Sequence, residues 1–311
     1  MKPTTKKAWP ELPALEEWED TLATVHMWSQ IVGKTRLAFA PPVNHWWGIA
    51  LYVTPSGLTT SSIPLDGRNF AVEMDFKDHR LKIETSDGAK ASFALEPMTV
   101  ADFYEKYTRA MDDLGIEPTI LARPVEVEDA IPFRKDTTHA SYDADAVNLF
   151  WQALVQIDRV FNEFRAKFMG KVSPSHFFWG AFDLAVTRFS GRTAPKHPGG
   201  IPNCADWVME EAYSHEVSSA GFWAGPGLGE AAFYSYAYPE PEGFREAAVK
   251  PEAAYFLEEM GEFVLPYAAV QKSDNPDAAL MDFLQSTYEA AADLANWDRA
   301  ALEKLAVSGE R

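Results

Sequence analysis

Apolar residues at Leu15, Trp18, Leu22 and Val25 recur in steps of three and four, which predicts an amphipathic helix ending near Gly33. The same pattern is stronger at Val147, Phe150, Leu154, Ile157, Phe161, Phe164 and Phe168, and Gly170 follows as a stop. Two more helices read from Val100, Phe103, Tyr107, Ala110 and Leu114, and from Leu280, Leu284, Tyr288, Ala291 and Leu294. Between the members of each pair the pattern becomes β-like. Strands are expected at about 44–54, 58–64, 70–76, 80–85 and 91–95, with Asp66-Gly67 and Asp87-Gly88 as turns. A second set is expected at about 176–189, 215–223, 231–238, 254–258 and 262–267.

The two halves share residues as well as element order. His45-Trp-Trp-Gly48 faces His176-Phe-Phe-Trp-Gly180, and Ser56-Gly57 faces Ser190-Gly191. Asp102-Phe103, Ala110 and Asp113-Leu114 match Asp282-Phe283, Ala290 and Asp293-Leu294 at a constant offset of 180. The expectation is therefore an α+β fold made by tandem duplication of a helix, four or five antiparallel strands, and a helix. A pseudo-two-fold arrangement of the TATA-box-binding-protein-like or helix-grip-like kind would let the two sheets continue edge to edge. The copies would occupy residues 12–126 and 140–305, joined by a linker at 127–139, with insertions in the second copy at 192–213 and 239–250. Loops added to one copy of a rigid scaffold are a route to a single asymmetric site.

Charge removes several partners. The 311 residues carry a net charge of −18, and both halves share it: 15 basic and 23 acidic side chains in residues 1–150, 13 and 23 in the rest. Neither half offers the basic face that binding phosphates requires, which argues against nucleic acid and anionic membrane surfaces. A membrane span is not expected, since the uncharged stretch 37–65 is broken by prolines. Cys204 is the single cysteine, so no intrachain disulfide and no cysteine-rich metal site can form. A reducing, cytoplasmic location fits that usage, and the N-terminus lacks the apolar core of a signal peptide.

Local catalytic motifs are missing: there is no His-Glu-x-x-His, no phosphate-binding glycine loop with its lysine, and no Gly-x-Ser-x-Gly. A site must then be assembled from separate strands. The candidate catalytic set is His176, Asp183 and Arg188, expected on one strand, with His215 and Glu216 on the next. Asp183 in an apolar strand needs a partner or a role, and Arg188 or a neighbouring backbone donor is its expected structural partner. Trp179, Trp223, Tyr234 and Tyr236 are the candidate ligand-binding residues, because tyrosines alternating onto one strand face present hydroxyls to a pocket. Trp179 to Val186 is also one residue longer than Trp47 to Val53, which calls for a bulge near Phe182-Asp183-Leu184.

Three functions follow as alternatives: a small-molecule-binding protein or enzyme with one pocket in the second copy, a metal-assisted hydrolase using the His/carboxylate set, or an acidic protein-interaction module. No cofactor, metal or oligomeric state is specified. Residues 176–192, 214–223 and 283–292, with Asn44-His-Trp-Trp47 and His139-Ala-Ser-Tyr142, resemble an uncharacterised bacterial domain-of-unknown-function family over nearly the full chain. That resemblance implies a bacterial protein and carries no activity with it.

Overall fold

The computed structural model describes residues 8–304. These form a mixed α+β structure with seven α-helices and two antiparallel sheets of six strands each. The first helix, α1 (Leu15–Phe39), is buried on every side from Met27 to Arg36 and so serves as a central core element. It does not stop at Gly33. That glycine sits where a Cβ would come within 2.2 Å of the Trp179 ring, so its role is close approach, not termination.

The first sheet contains β1 (Tyr52–Val53), β2 (Gly57–Thr59), β3 (Ile63–Leu65), β4 (Arg68–Asp75), β5 (Arg80–Thr85) and β6 (Lys90–Ala94), in the order β1-β2-β4-β5-β6 with β3 paired to β4. The expected strand at 44–54 is mostly absent. His45 and Trp46 adopt left-handed φ of 58° and 61°, and a short 3-10 turn at Asn44–Trp46 takes its place. The strand expected at 58–64 is split at Ser61, also left-handed at φ 58°. Helix α2 (Val100–Asp112), capped by Thr99 accepting from the Asp102 amide, packs across this sheet.

Helix α3 (Ala144–Ala166) buries the predicted stripe, with Asp143 as its cap. The second sheet follows: β7 (His176–Phe178), β8 (Asp183–Thr193), β9 (His215–Trp223), β10 (Ala232–Tyr238), β11 (Tyr255–Leu257) and β12 (Glu262–Pro266), in the order β11-β12-β10-β9-β8-β7. Short helices α4 (Asp206–Ala212) and α5 (Tyr267–Lys272) precede the long α6 (Pro276–Leu294) and the closing α7 (Arg299–Leu302). The single strand expected over 176–189 is instead a hairpin, turning at Trp179–Phe182 with Phe182 at φ 61°. This turn, not a bulge, absorbs the extra residue.

One antiparallel bridge joins the two sheets. Leu51 and Phe177 exchange both backbone hydrogen bonds at 2.9 Å, linking the edge near β1 to β7. In the second sheet, side chains alternate between two faces. Leu184 and Val186, Phe222, Phe233 and Leu265 point into the core shared with α3 and α6. Asp183, Ser219, Tyr234 and Val264 occupy the other face, which no long helix covers.

Candidate functional site

That other face is the floor of a cavity of about 560 Å³. Asp183, Ala185, Thr187 and Phe189 of β8 lie beside Val217, Ser219 and Trp223 of β9. Tyr234 and Tyr236 of β10 and Glu262 and Val264 of β12 complete the floor. The 192–213 insertion folds over it and supplies Ile201, Pro202, Val208, Met209 and Tyr213. It is tied down by the first half of the chain. His45 Nδ1 donates to the Ala212 carbonyl at 3.0 Å and Trp46 Nε1 to the Val208 carbonyl at 3.0 Å. Asn203 Nδ2 donates to the Val127 carbonyl at 2.6 Å, and the Glu126 amide to the Pro202 carbonyl at 2.8 Å. The left-handed His45 and Trp46 thus turn the chain toward the insertion, and Trp46 packs on Trp207 at 5.2 Å.

Polar groups in this cavity are mainly acids and phenols. The Tyr234 hydroxyl donates to Asp183 Oδ2, and the Tyr213 and Tyr236 hydroxyls share a hydrogen bond of 2.7 Å. Asp183 is 8% exposed, and burial raises its carboxyl to about 6 despite the Tyr234 bond. Glu262 is raised to about 7, first by burial and then by the Asp183 charge. Glu126, held at φ 59° with its carboxylate against the Cα of Gly180, is raised to about 7 for the same two reasons. Glu126 is nonetheless an exposed residue, so it is less completely desolvated than Asp183. Burial lifts the Tyr236 phenol to about 12 and Tyr213 and Tyr234 well above the usual range, so all three are neutral donors.

Gly221 explains how Tyr234 reaches Asp183. It lies opposite Tyr234 in the ladder, and a Cβ there would sit 2.3 Å from the phenol oxygen. Gly221→Ala is expected to displace the ring and cost about 1–3 kcal/mol through overpacking, read by urea denaturation. An unchanged midpoint would show that Tyr234 has room to move.

The sequence-derived site is only partly assembled. Asp183, Trp223, Tyr234 and Tyr236 line the cavity together. His176 sits one diagonal step from Asp183 in the ladder but is 1% exposed, enclosed by Trp47, Tyr52 and Phe178. Burial, with Arg36 and Arg165 nearby, lowers its pKa to about 3, so it stays neutral and is no proton carrier near neutrality. Trp179 does not line the cavity; it packs on Gly33 and donates to the Ile49 carbonyl at 2.9 Å.

Arg188 is on the opposite face from Asp183, five residues away along β8, so it is not the partner expected for that carboxylate. It is buried under α3 and α6, where Nη2 donates to the Phe164 carbonyl at 2.6 Å. Its guanidinium stacks 3.4 Å from the Phe164 ring centre and 4.3 Å from that of Tyr288. His215 and Glu216, adjacent on β9, point to opposite faces. His215 bonds Ser214 Oγ at 3.1 Å, at the far end of β9 from Trp223, the residue paired with Asp183. Eight strand residues separate it from that end, on the order of 25 Å. Glu216 is engaged by Arg192 at 2.6 Å. Among the described residues no three His, Cys, Asp or Glu side chains are grouped to hold a metal. No helix among the described residues is long and apolar enough to cross a membrane.

Sequence reasoning missed Glu126, Glu262, Tyr213 and Ser219. Glu262 and Val264 alternate onto the Tyr234 face, a signal available from strand period alone. Glu126 carries no such signal, because a left-handed loop residue has no periodicity to place it.

No curated protein and no solved structure matches the chain significantly. A family model described as a family of unknown function matches residues 9–304. The chain belongs to that family, DUF5996.

Proposed function

We propose that this protein binds a small amphipathic molecule in the cavity above the second sheet. The observation that carries the reading is a single enclosure of about 560 Å³ that combines aromatic walls with three carboxyl groups and three tyrosine hydroxyls. That volume suits a ligand of drug or metabolite size, and an apolar lining with few convergent polar groups is how such sites gain both affinity and orientation. Scattered surface hydrophobes do not explain it, because the polar groups face inward from four separate strands. Its floor lies in the second proposed copy and is closed by the insertion specific to that copy, with His45, Trp46, Trp47, Ile49 and Glu126 contributed by the first, so one chain would hold one ligand. Nucleic acid and anionic membranes remain outside the proposal, given the shared negative charge of both halves.

The same structure supports tandem duplication as the origin of the scaffold. Each half runs from a long helix through an antiparallel sheet to a second long helix, and the sheets meet at one edge bridge. Residues 12–126 and 140–305 are proposed as the two copies, in the paired-sheet manner of TATA-box-binding-protein-like or helix-grip folds.

A pocket-blocking variant tests the binding reading. Ser219→Trp places an indole on the cavity floor, beside Thr187 Oγ1, which lies 2.8 Å from the serine hydroxyl. A library of aromatic amphiphiles of differing charge should yield compounds that raise the melting temperature of the wild type and not of this variant. Compounds that stabilise both equally would place binding elsewhere. A library without any hit would remove the reading.

A further inference from the structure

We infer that the ligand of this cavity is an organic cation with an apolar, aromatic-compatible body: an alkyl- or arylammonium compound. This rests on the binding reading above and specifies its chemistry. The cavity brings together Glu126, Asp183 and Glu262, and its lining includes no lysine or arginine among the described residues. His45 lines it too, but burial lowers its pKa, and its Nε2 accepts from Lys171 at 2.7 Å, so it supplies no positive charge. Lys34, the buried ammonium of α1, is outside the lining and sits 5.6 Å from the Trp179 ring centre. The lining itself therefore supplies no ammonium or guanidinium; Lys171, outside it, bonds His45 Nε2 and stacks on Trp47 and Phe189.

Asp183 and Glu262 belong to the sheet floor, and Glu126 is the most exposed of the three acids. Asp183 is nine-tenths buried in the floor, with its Oδ2 held by Tyr234. Among the described residues neither Glu126 nor Glu262 has an ion-pair partner, unlike Glu216 with Arg192 on the opposite face of the same sheet. Crowded like charges repel, and burial with that repulsion raises Glu126 and Glu262 to about 7. A positive ligand head removes the cost directly. The aromatic walls suit it as well: Trp223 lines the cavity without a cation stacked on it, while Trp47 and Phe189, whose ring centres each lie 5.0 Å from Lys171 Nζ, can bury the alkyl or aryl part. An anion would meet three carboxyl groups and only neutral donors, the phenols and the Thr187 and Ser219 hydroxyls among them. A neutral molecule would leave the carboxyls as they are.

Binding of such a cation releases protons, since it favours the ionised carboxylates. The groups facing the head are Glu126, Asp183, Glu262, the three tyrosines and His45; the phenols stay protonated and His45 stays neutral, so the released protons come from the carboxyls.

The test is calorimetric titration of the full chain with phenylpropyltrimethylammonium, phenylbutanol and phenylbutyrate, three probes of similar shape and different charge. At about pH 8 the cation is expected to bind at least tenfold tighter than phenylbutanol, a difference of about 1.4 kcal/mol, and phenylbutyrate weakest. Glu126→Gln and Glu262→Gln should each weaken the cation about five- to tenfold and leave phenylbutanol unchanged, which separates charge recognition from loss of folding. At about pH 6.5 the measured heat should vary with buffer ionisation enthalpy in the direction of proton release. Equal affinity for phenylbutanol and the cation, or amide variants that keep the cation preference, would overturn the inference while the pocket reading survives. Failure of all three probes, or binding that persists in Ser219→Trp, would instead strike the pocket reading itself.

Discussion

Arg188→Ala is expected to destabilise the protein by about 3–5 kcal/mol while leaving ligand affinity in the cavity within about twofold of the wild type. The side chain is among the largest fully buried ones, enclosed by Phe164, Phe168 and Tyr288. Truncation removes the stacked guanidinium, orphans the Phe164 carbonyl that it serves, and leaves a void between α3, α6 and the sheet. Arg188→Met, which keeps an apolar stem of similar length, should recover about half of the loss. Urea unfolding measures the stability and calorimetry the affinity. A catalytic arginine would show the reverse, with stability kept and function lost, so the pair of measurements separates the structure's placement of Arg188 from the role that sequence reasoning gave it.

Asp183→Asn should stabilise the protein at about pH 8 by about 2 kcal/mol, and this advantage should vanish near pH 4. Burial raises the carboxyl from 3.8 to about 6, so the folded chain holds this proton more tightly than the unfolded chain does. The resulting stability is complete below the unfolded value and lost as pH rises through about 6. Above that point the wild type carries an ionised group in apolar surroundings, a shift of about two units at about 1.4 kcal/mol each, reduced because the three acids titrate together. Asparagine avoids this cost, and its side-chain carbonyl can still accept from Tyr234. Buried His26 and His176, lowered to about 4 and about 3, act in the opposite sense by weakening the fold as pH falls below their ordinary value of 6.5. They are common to both proteins and cancel in the comparison. An Asn variant less stable than wild type at about pH 8 would mean that the carboxylate is well solvated or paired in the fold.

Long periodic elements were legible from the sequence, because a stripe such as Val147 to Phe164 admits one helical face and nothing else. Arg80–Thr85, which alternates in character, and His215–Trp223, a nearly continuous buried run, match their expected bounds. What failed was conformation at single residues. His45, Trp46, Ser61 and Phe182 take left-handed φ without being glycine, and each broke or turned a strand that the apolar pattern alone would continue. The Phe182 turn is why His176 and Asp183 occupy partnered strands, not one.

The site was half legible. Alternation placed Tyr234 and Tyr236 together, and the extra insertion pointed to the second copy as the place where a pocket would form. The same period of two, applied to Asp183 and Arg188 or to His215 and Glu216, separates each pair onto opposite faces, so the proposed catalytic cluster contradicted a rule already in hand. Glu126 could come only from three dimensions: the loop that carries it is positioned by Pro202 and Gly180, both distant in sequence.

The most direct measurement is a crystal structure of the full chain with phenylpropyltrimethylammonium. The expected density lies over β8, β9 and β10, with the ammonium facing Glu126, Asp183 and Glu262 and the phenyl ring against Trp223 or Phe189. Density for the probe on the outer surface alone, or in the cavity with its ammonium turned away from all three carboxyls, would contradict the account.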